Sequence, residues 1–206
     1  MSSAVQPPKK RRRRELKKIE KVISGGQTGT DQIALRVAKQ FGLATGGTAP
    51  PGFQTIAGPN LALRDTYGLT EMKTTRSWEK YGGRLRLLTG YQARSMQNVD
   101  DSDATIAFRL RPSAGTDGTI NYARSGLWSV VARDGMREHR PVLVVTSMVD
   151  RNATATTIIA FLRLHRPSVI NVCGHRDNQT AGDPAYSDNV AAVLRRVFGT
   201  LQTLGE

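Results

Sequence analysis

Two stretches gather the residues whose types and spacing could do chemistry. The first is Ser24-Gly25-Gly26-Gln27-Thr28-Gly29-Thr30-Asp31, and the second is Ser113-Ala114-Gly115-Thr116-Asp117-Gly118-Thr119-Ile120. Each interleaves glycines with hydroxyl, amide or carboxylate side chains, after an apolar run and before a helical pattern. Glycine permits positive φ and puts no Cβ in the way of a guest. A helix start offers free N–H groups and partial positive charge, so the natural guest is a phosphate or another oxyanion. The first stretch is not a P-loop, because no Gly-Lys-Ser/Thr triplet closes it, and its glycines fall as GGxxG rather than GxGxxG. Alone, it could also be a tight turn that binds nothing. The crowding of Ser24, Gln27, Thr28 and Thr30 counts against that, and Thr30 or Asp31 stands where it can cap the helix.

A third rigid loop, Gly46-Gly47-Thr48-Ala49-Pro50-Pro51-Gly52-Phe53, uses two prolines to fix φ and glycines to turn corners. It belongs beside the first stretch if both follow parallel strands. Arg109 and Arg111 adjoin the second stretch and could add positive charge. Asp100-Asp101-Ser102-Asp103 invites a metal hypothesis, but it lacks the alternating ligands, central glycine and late glutamate of a calcium loop. Capping and turn formation suit it better. Cys173, the single cysteine, reads as a buried small hydrophobe before it reads as a ligand. His139, His165 and His175 show no metal-ligand spacing, and His175 alone falls at the carboxyl end of an expected strand.

Positioning these residues requires alternating strands and helices. Lys21–Ser24 reads as a strand, and Ile33, Ala34, Val37, Ala38 and Phe41 recur at helical spacing over 31–41 until Gly42. Residues 44–47 suit a weak strand, 61–67 a short helix and 69–72 a small strand. Residues 78–98 read mostly as helix, with Lys80, Arg84, Arg86 and Arg94 on a solvated face. Strands follow at 104–108, 141–146 and 169–172, the second being the strongest candidate for a central strand. Helices are expected at 119–134, 154–164 and 186–204. This alternation predicts an α/β fold, Rossmann-like and doubly wound, with a mainly parallel sheet and helices on both faces.

The 206 residues suit one domain, 19–206, behind a tail at 1–18. The net charge of +13 is uneven: residues 1–21 hold nine of the 30 basic and two of the 17 acidic side chains. The run Lys9-Lys10-Arg11-Arg12-Arg13-Arg14 repels itself, predicts disorder, and resembles a nuclear localisation signal. It equally suits nonspecific affinity for nucleic acid. No run is long and apolar enough for a membrane span and no apolar signal region opens the chain, so the expected compartment is cytoplasmic, or nuclear in a eukaryote. A lone cysteine excludes an internal disulfide.

With these loops in place, the chain resembles the molybdenum cofactor carrier proteins of the Rossmann-like SLOG superfamily, relatives of the lysine-decarboxylase-like cytokinin-activating enzymes. The resemblance runs through Ser24–Asp31, Gly47–Phe53, Tyr67–Glu71, Asn98-Val99, Ser102–Thr105, Gly115-Thr116 with Thr119-Ile120, and Asn171-Val172 with Gly174 and Arg176. It covers roughly residues 21–200. The basic tail lies outside the pattern, and the segment 126–139 is longer than usual. The resemblance implies a carrier that binds, stores and transfers molybdenum cofactor, a pterin with a phosphate and a dithiolene-bound molybdenum oxo group. It also implies molybdoenzymes as recipients and a homo-oligomer. The residues implied to hold the cofactor are Ser24, Gly25, Gly26, Gln27, Thr28, Gly29, Thr30, Asp31, Thr48, Pro50, Gly52, Ser102, Asp103, Gly115, Thr116, Gly118, Thr119, Gly174 and Arg176, with no metal-ligating and no catalytic residue assigned.

The alternatives within the same superfamily are a nucleotide sensor and a nucleoside-monophosphate phosphoribohydrolase. The enzyme relatives carry PGGxGTxxE with a catalytic glutamate. Here Gly118-Thr119 is followed at that spacing by Tyr122, and Gly115-Thr116 by Thr119. An enzyme would have to recruit Asp31, Glu71 or Asp103 instead.

Overall fold

The computed structural model describes residues 19–72, 76–81, 84–128 and 139–203, the strands at 76–81 and 84–89 by their backbone alone. The basic run at 9–14 and the expected helix beyond residue 128 lie outside the described residues.

In chain order the elements are β1 (Lys21–Ile23), α1 (Thr30–Gln40), β2 (Ala44–Gly46), β3 (Thr48–Ala49), a 3-10 turn (Pro51–Phe53), β4 (Gln54–Thr55) and β5 (Gly58–Pro59). Next come α2 (Ala62–Asp65), β6 (Thr70–Glu71), β7 (Arg76–Tyr81), β8 (Arg84–Thr89), α3 (Gly90–Asp100), β9 (Ala104–Phe108) and α4 (Ala114–Ser125). The rest is β10 (Val142–Val145), α5 (Arg151–His165), β11 (Val169–Gly174), α6 (Asn178–Ala181) and α7 (Tyr186–Thr203).

Five strands form one parallel sheet in the order β10-β9-β11-β1-β2. All five residues of β9 are buried, as a strand covered on both faces must be. Side chains alternate across it. Val22, Ile106, Phe108, Ile170 and Val172 pack into the main core with α1, α5 and α7. On α7, Val190, Val193, Leu194 and Val197 are each 0 % exposed. At about 1.5–3 kcal/mol for each fully buried aliphatic chain, this helix is a principal anchor of that face, and Val193→Asp would break it. The opposite face carries α3 and α4, joined through Val99, Tyr122, Ala123, Trp128 and Val142. There the central strands present the smaller Thr105, Ala107, Asn171 and Cys173, and Asn171 donates to the Thr105 hydroxyl at 3.3 Å. Small side chains on that face leave room beneath the two helices. A third cluster, Leu35, Ala49, Phe53, Leu63 and Leu69, supports the loops after β1 and β2.

The expected α/β class, with helices on both faces of a parallel sheet, is what the chain adopts. Three expectations are corrected. Residues 78–98 are not one helix: β7 and β8 form an antiparallel hairpin whose register pairs Tyr81 with Arg84, and α3 follows from Gly90. Gly82-Gly83 between runs rich in aromatic and aliphatic residues is a hairpin signal. The helix expected from residue 119 begins at Ala114, so part of the second glycine-rich stretch is already helical. Finally, β10 is an edge strand of the sheet, although its composition suits a central one.

Candidate functional site

The turn after β1 is closed by its own residues and neighbours. The Ser24 hydroxyl donates to Val172 O at 2.6 Å. Thr30 donates to His175 O from both its backbone N–H (3.1 Å) and its hydroxyl (3.0 Å), and shares a 2.5 Å hydrogen bond with the Tyr186 hydroxyl. Gln27 N–H donates to Asp31 Oδ2 at 3.2 Å, while Gln27 Oε1 accepts from Thr28 N at 3.0 Å and from Ile56 N at 2.9 Å. The helix cap is Gly29, at φ 81° and ψ −131°, not the expected Thr30 or Asp31. Only glycine holds that conformation comfortably. The glycines here make room for protein rather than for a guest. A Cβ on Gly25 would overlap the Arg94 guanidinium, one on Gly26 would reach Leu63 Cδ1 at 2.7 Å, and one on Gly29 would overlap the Arg176 carbonyl.

The start of α4, after β9, is arranged differently. Its N-cap is Ser113, whose side chain makes no capping hydrogen bond. Asp117 N–H bonds Ser113 O at 2.7 Å. The N–H groups of Ala114, Gly115 and Thr116 have no partner among the described residues. A Cβ on Gly115 would meet nothing within 4 Å. The Asp117 carboxylate in this first turn is neutralised by Arg109, through hydrogen bonds of 2.7 and 3.2 Å. Burial raises the Asp117 pKa, but the Arg109 hydrogen bonds and charge together with the Ser113 N–H outweigh it and hold the carboxyl below its ordinary value.

A cavity of about 520 Å³ opens beside this helix start, within the range of small-molecule sites. Ser113, Ala114, Gly115, Thr116 and Thr119 line one side. Asp31, Cys173, Gly174 and Arg176 line it from the ends of α1 and β11, and Tyr91, Arg94 and Ser95 from α3. Arg94 is 8 % exposed and donates from one terminal nitrogen to Asp31 Oδ2 at 3.2 Å, while its buried Nε has no partner among the described residues. Burial pushes the Asp31 carboxyl above its ordinary value, against the pull of Arg94. Burial also pushes the Cys173 thiol up, with Asp31 adding to it, so the sulfur stays protonated and is a poor metal ligand or nucleophile.

His175 is 1 % exposed. Its Nε2 accepts from Leu110 N at 3.0 Å and Arg111 N at 3.3 Å, which places the ring proton on Nδ1. Burial, then Arg111, lowers its pKa, so the ring is neutral and holds the β9 and β11 ends together.

Of the residues implied by the sequence, Gln27, Asp31, Gly115, Thr116, Thr119, Gly174 and Arg176 meet at this cavity. Ser24, Gly25, Gly26, Thr28, Gly29 and Thr30 shape the adjoining turn without lining it. The Thr48 loop does lie beside that turn, as expected, since Ser24 N–H bonds Gly46 O at 3.1 Å. Its own groups are engaged elsewhere: Asn98 clamps the Thr48 backbone with bonds of 2.7 and 3.0 Å, Pro50 is buried, and Gly52 N–H bonds Glu71 at 2.6 Å. Gly118 packs under Trp128. Ser102 and Asp103 precede β9 and so lie at the amino ends of the strands, opposite the cavity. There Asp103 Oδ2 accepts from Ser168 N and Val169 N at 2.8 and 3.0 Å.

Sequence reasoning missed Tyr91, Gln92, Arg94, Ser95, Ile56 and Trp128. Arg94 in particular is buried against Asp31 rather than set on a solvated face. Its spacing from Tyr91 and Ser95 becomes informative only once the helix is known to start at Gly90. Among the described residues no three His, Cys, Asp or Glu side chains gather as a metal site, and no helix is long and apolar enough to cross a membrane.

A parallel sheet with a cavity at the carboxyl ends of its strands defines a Rossmann-like ligand-binding protein. The chain belongs to the circularly permutated YpsA SLOG family, whose sequence pattern matches residues 22–198. It is similar to the crystal structure of a putative molybdenum carrier protein from Syntrophus aciditrophicus, with 26 % identity and a TM-score of 0.64, over 89 % of this chain and 97 % of that one. A phosphonoacetate hydrolase from Sinorhizobium meliloti aligns at 16 % identity over 100 % of this chain and 58 % of that one, with a TM-score of 0.32, too low to carry an argument. No curated protein matches the chain.

Proposed function

We propose that the protein binds and carries molybdenum cofactor, with an anionic group of the cofactor seated at the start of α4. The observation that carries this reading is the uncapped amino end of a 12-residue helix, opening onto a cavity that two arginines, Arg94 and Arg176, also line. The unpartnered N–H groups of Ala114, Gly115 and Thr116 are donors suited to phosphate or oxo oxygens, and the helix adds its partial positive charge. Arg176 is exposed and makes no ion pair among the described residues, so its charge is available to a ligand. The choice of molybdenum cofactor is supported by the likeness to the Syntrophus protein. Partial enclosure of the ligand suits storage and protection, and noncovalent donors suit later transfer to a recipient enzyme.

A purine nucleotide could use the same donors through its phosphate. Of the three carboxylates an enzyme would have to recruit, Asp31 lines the cavity, Glu71 is bonded to Gly52 N–H, and Asp103 lies at the far end of the sheet.

Gly115→Leu tests the reading, because a side chain there enters open space and α4 accepts leucine. Calorimetric titration with isolated molybdenum cofactor should give saturable binding to the wild type. The variant should keep its thermal midpoint and lose roughly 10- to 100-fold in affinity, the order expected when a side chain takes space the ligand needs at a cost of about 1–3 kcal/mol. Wild-type protein that ignores the cofactor and binds guanosine monophosphate would move the function to nucleotide binding.

A further inference from the structure

We infer that Tyr91 and Ile56 form a specificity rim that selects anions carried on a planar fused heterocycle over bare oxyanions. This rests on the proposed anion seat at α4 and adds which part of the ligand lies outward.

Three observations converge on the rim. Tyr91 and Ile56 both line the cavity, and at 43 % and 60 % exposure they are two of the five large apolar side chains left exposed among the described residues. A guest lying against both gains apolar burial that neither side chain finds within the protein. Next, Tyr91 and Arg94 are three residues apart on α3, which puts them on one helix face, separated by about 4.5 Å of rise. The same face therefore offers an aromatic surface in its first turn and a buried guanidinium one turn on, so an apolar contact and a charge contact follow each other along the cavity. Finally, Ile56 is held where it is. It sits in the two-residue connection between β4 and β5, and its N–H donates to Gln27 Oε1 at 2.9 Å. The Gln27 side chain thus ties the hairpin tip to the β1 turn across the cavity rim.

A ligand meeting both zones has an oxyanion directed toward Arg94 and the start of α4, and a flat apolar surface against Tyr91 and Ile56. Stacking is indifferent to the identity of the ring, because each fused heterocycle has a π-face. A pterin and a purine both qualify.

The test compares ring-bearing and bare probes on the full chain: isolated molybdenum cofactor, guanosine monophosphate and inorganic phosphate, each titrated against wild type, Tyr91→Ala, Tyr91→Phe and Ile56→Ser. Tyr91→Ala should weaken whichever ring-bearing probe the wild type binds by about tenfold, the order lost with one stacking partner, while phosphate binding stays unchanged. Tyr91→Phe should retain wild-type affinity, and Ile56→Ser should lose about threefold on the ring-bearing probe alone. The cofactor and guanosine monophosphate arms distinguish the two ring sources. Equal losses for phosphate and ring-bearing probe, or no loss for either, overturns the rim while leaving the anion seat standing. Phosphate binding with no gain from any ring in the wild type overturns it as well. Absence of binding by all three probes overturns the seat and the rim together.

Discussion

Two glycine-rich turns stand at the carboxyl ends of neighbouring regions of one sheet, the first leading from β1 into α1 and the second from β9 into α4. Both offer glycine, threonine and an aspartate in the first helical turn. In the first, the hydroxyls of Ser24 and Thr30 are spent on Val172 and His175, the glycines receive Arg94, Leu63 and the Arg176 carbonyl, and Asp31 supplies an anion of its own. In the second, the aspartate is drawn aside by Arg109, three N–H groups stay unpartnered among the described residues, and Gly115 faces open space. A glycine–threonine turn therefore serves as a structural junction when neighbours fill it and as a ligand seat when they do not. What separates the two is the surrounding fold.

Substitutions can break this contrast, beginning with the largest effect. Gly29→Val should cost about 3 kcal/mol or more in urea unfolding, because the cap conformation is closed to β-branched residues and the side chain would run into the Arg176 carbonyl. Gly115→Ala should do the reverse and stabilise by about 0.5–1 kcal/mol, since alanine suits a helix and meets no neighbour. A substantial loss at residue 115 would erase the distinction between the turns.

Arg94→Met should cost about 3 kcal/mol near pH 7 by leaving the buried Asp31 without its counter-charge. The sign of its pH dependence follows from Asp31. The folded pKa is raised above 3.8, so the stability tied to the neutral form is fully present below 3.8 and is lost as pH rises through the folded value. Removing Arg94 removes a pull that lowers that pKa. The deficit of the variant should therefore shrink as pH falls through the elevated Asp31 pKa, as followed by denaturation at a series of pH values. A deficit independent of pH would show that packing against Gly25, rather than charge, is what Arg94 contributes.

A smaller effect separates the ends of the sheet. Asp103→Asn should cost about 1 kcal/mol by weakening its bonds to the Ser168 and Val169 N–H groups, and leave ligand affinity unchanged. A matching loss of affinity would draw the amino ends of the strands into the site.

Much of the sheet is legible along the chain. The runs at 104–108 and 169–172 are continuous and β-branched, and α7 repeats its apolar residues at helical spacing. The hairpin at 76–89 is harder to read because basic residues recur through it at spacings that suit a helix face. The edge location of β10 cannot be read from Val142-Leu143-Val144-Val145, whose composition reports burial by helices and not the number of neighbouring strands. At the site, the glycines locate the two turns but not which one is occupied, because Arg94 fills Gly25 from 69 residues away in sequence. Ser102 and Asp103 illustrate the same limit: a motif position beside a strand does not say at which end of the sheet its side chains do their bonding.

The most direct measurement is backbone amide NMR during titration with inorganic phosphate. Occupation of the α4 start predicts that the amides of Ala114, Gly115 and Thr116 shift progressively and saturate together, while those of Gly25, Gly26 and Thr28 change little. Saturating shifts at Gly25–Thr28 with Ala114–Thr116 unmoved would contradict the account and return the anion seat to the first turn.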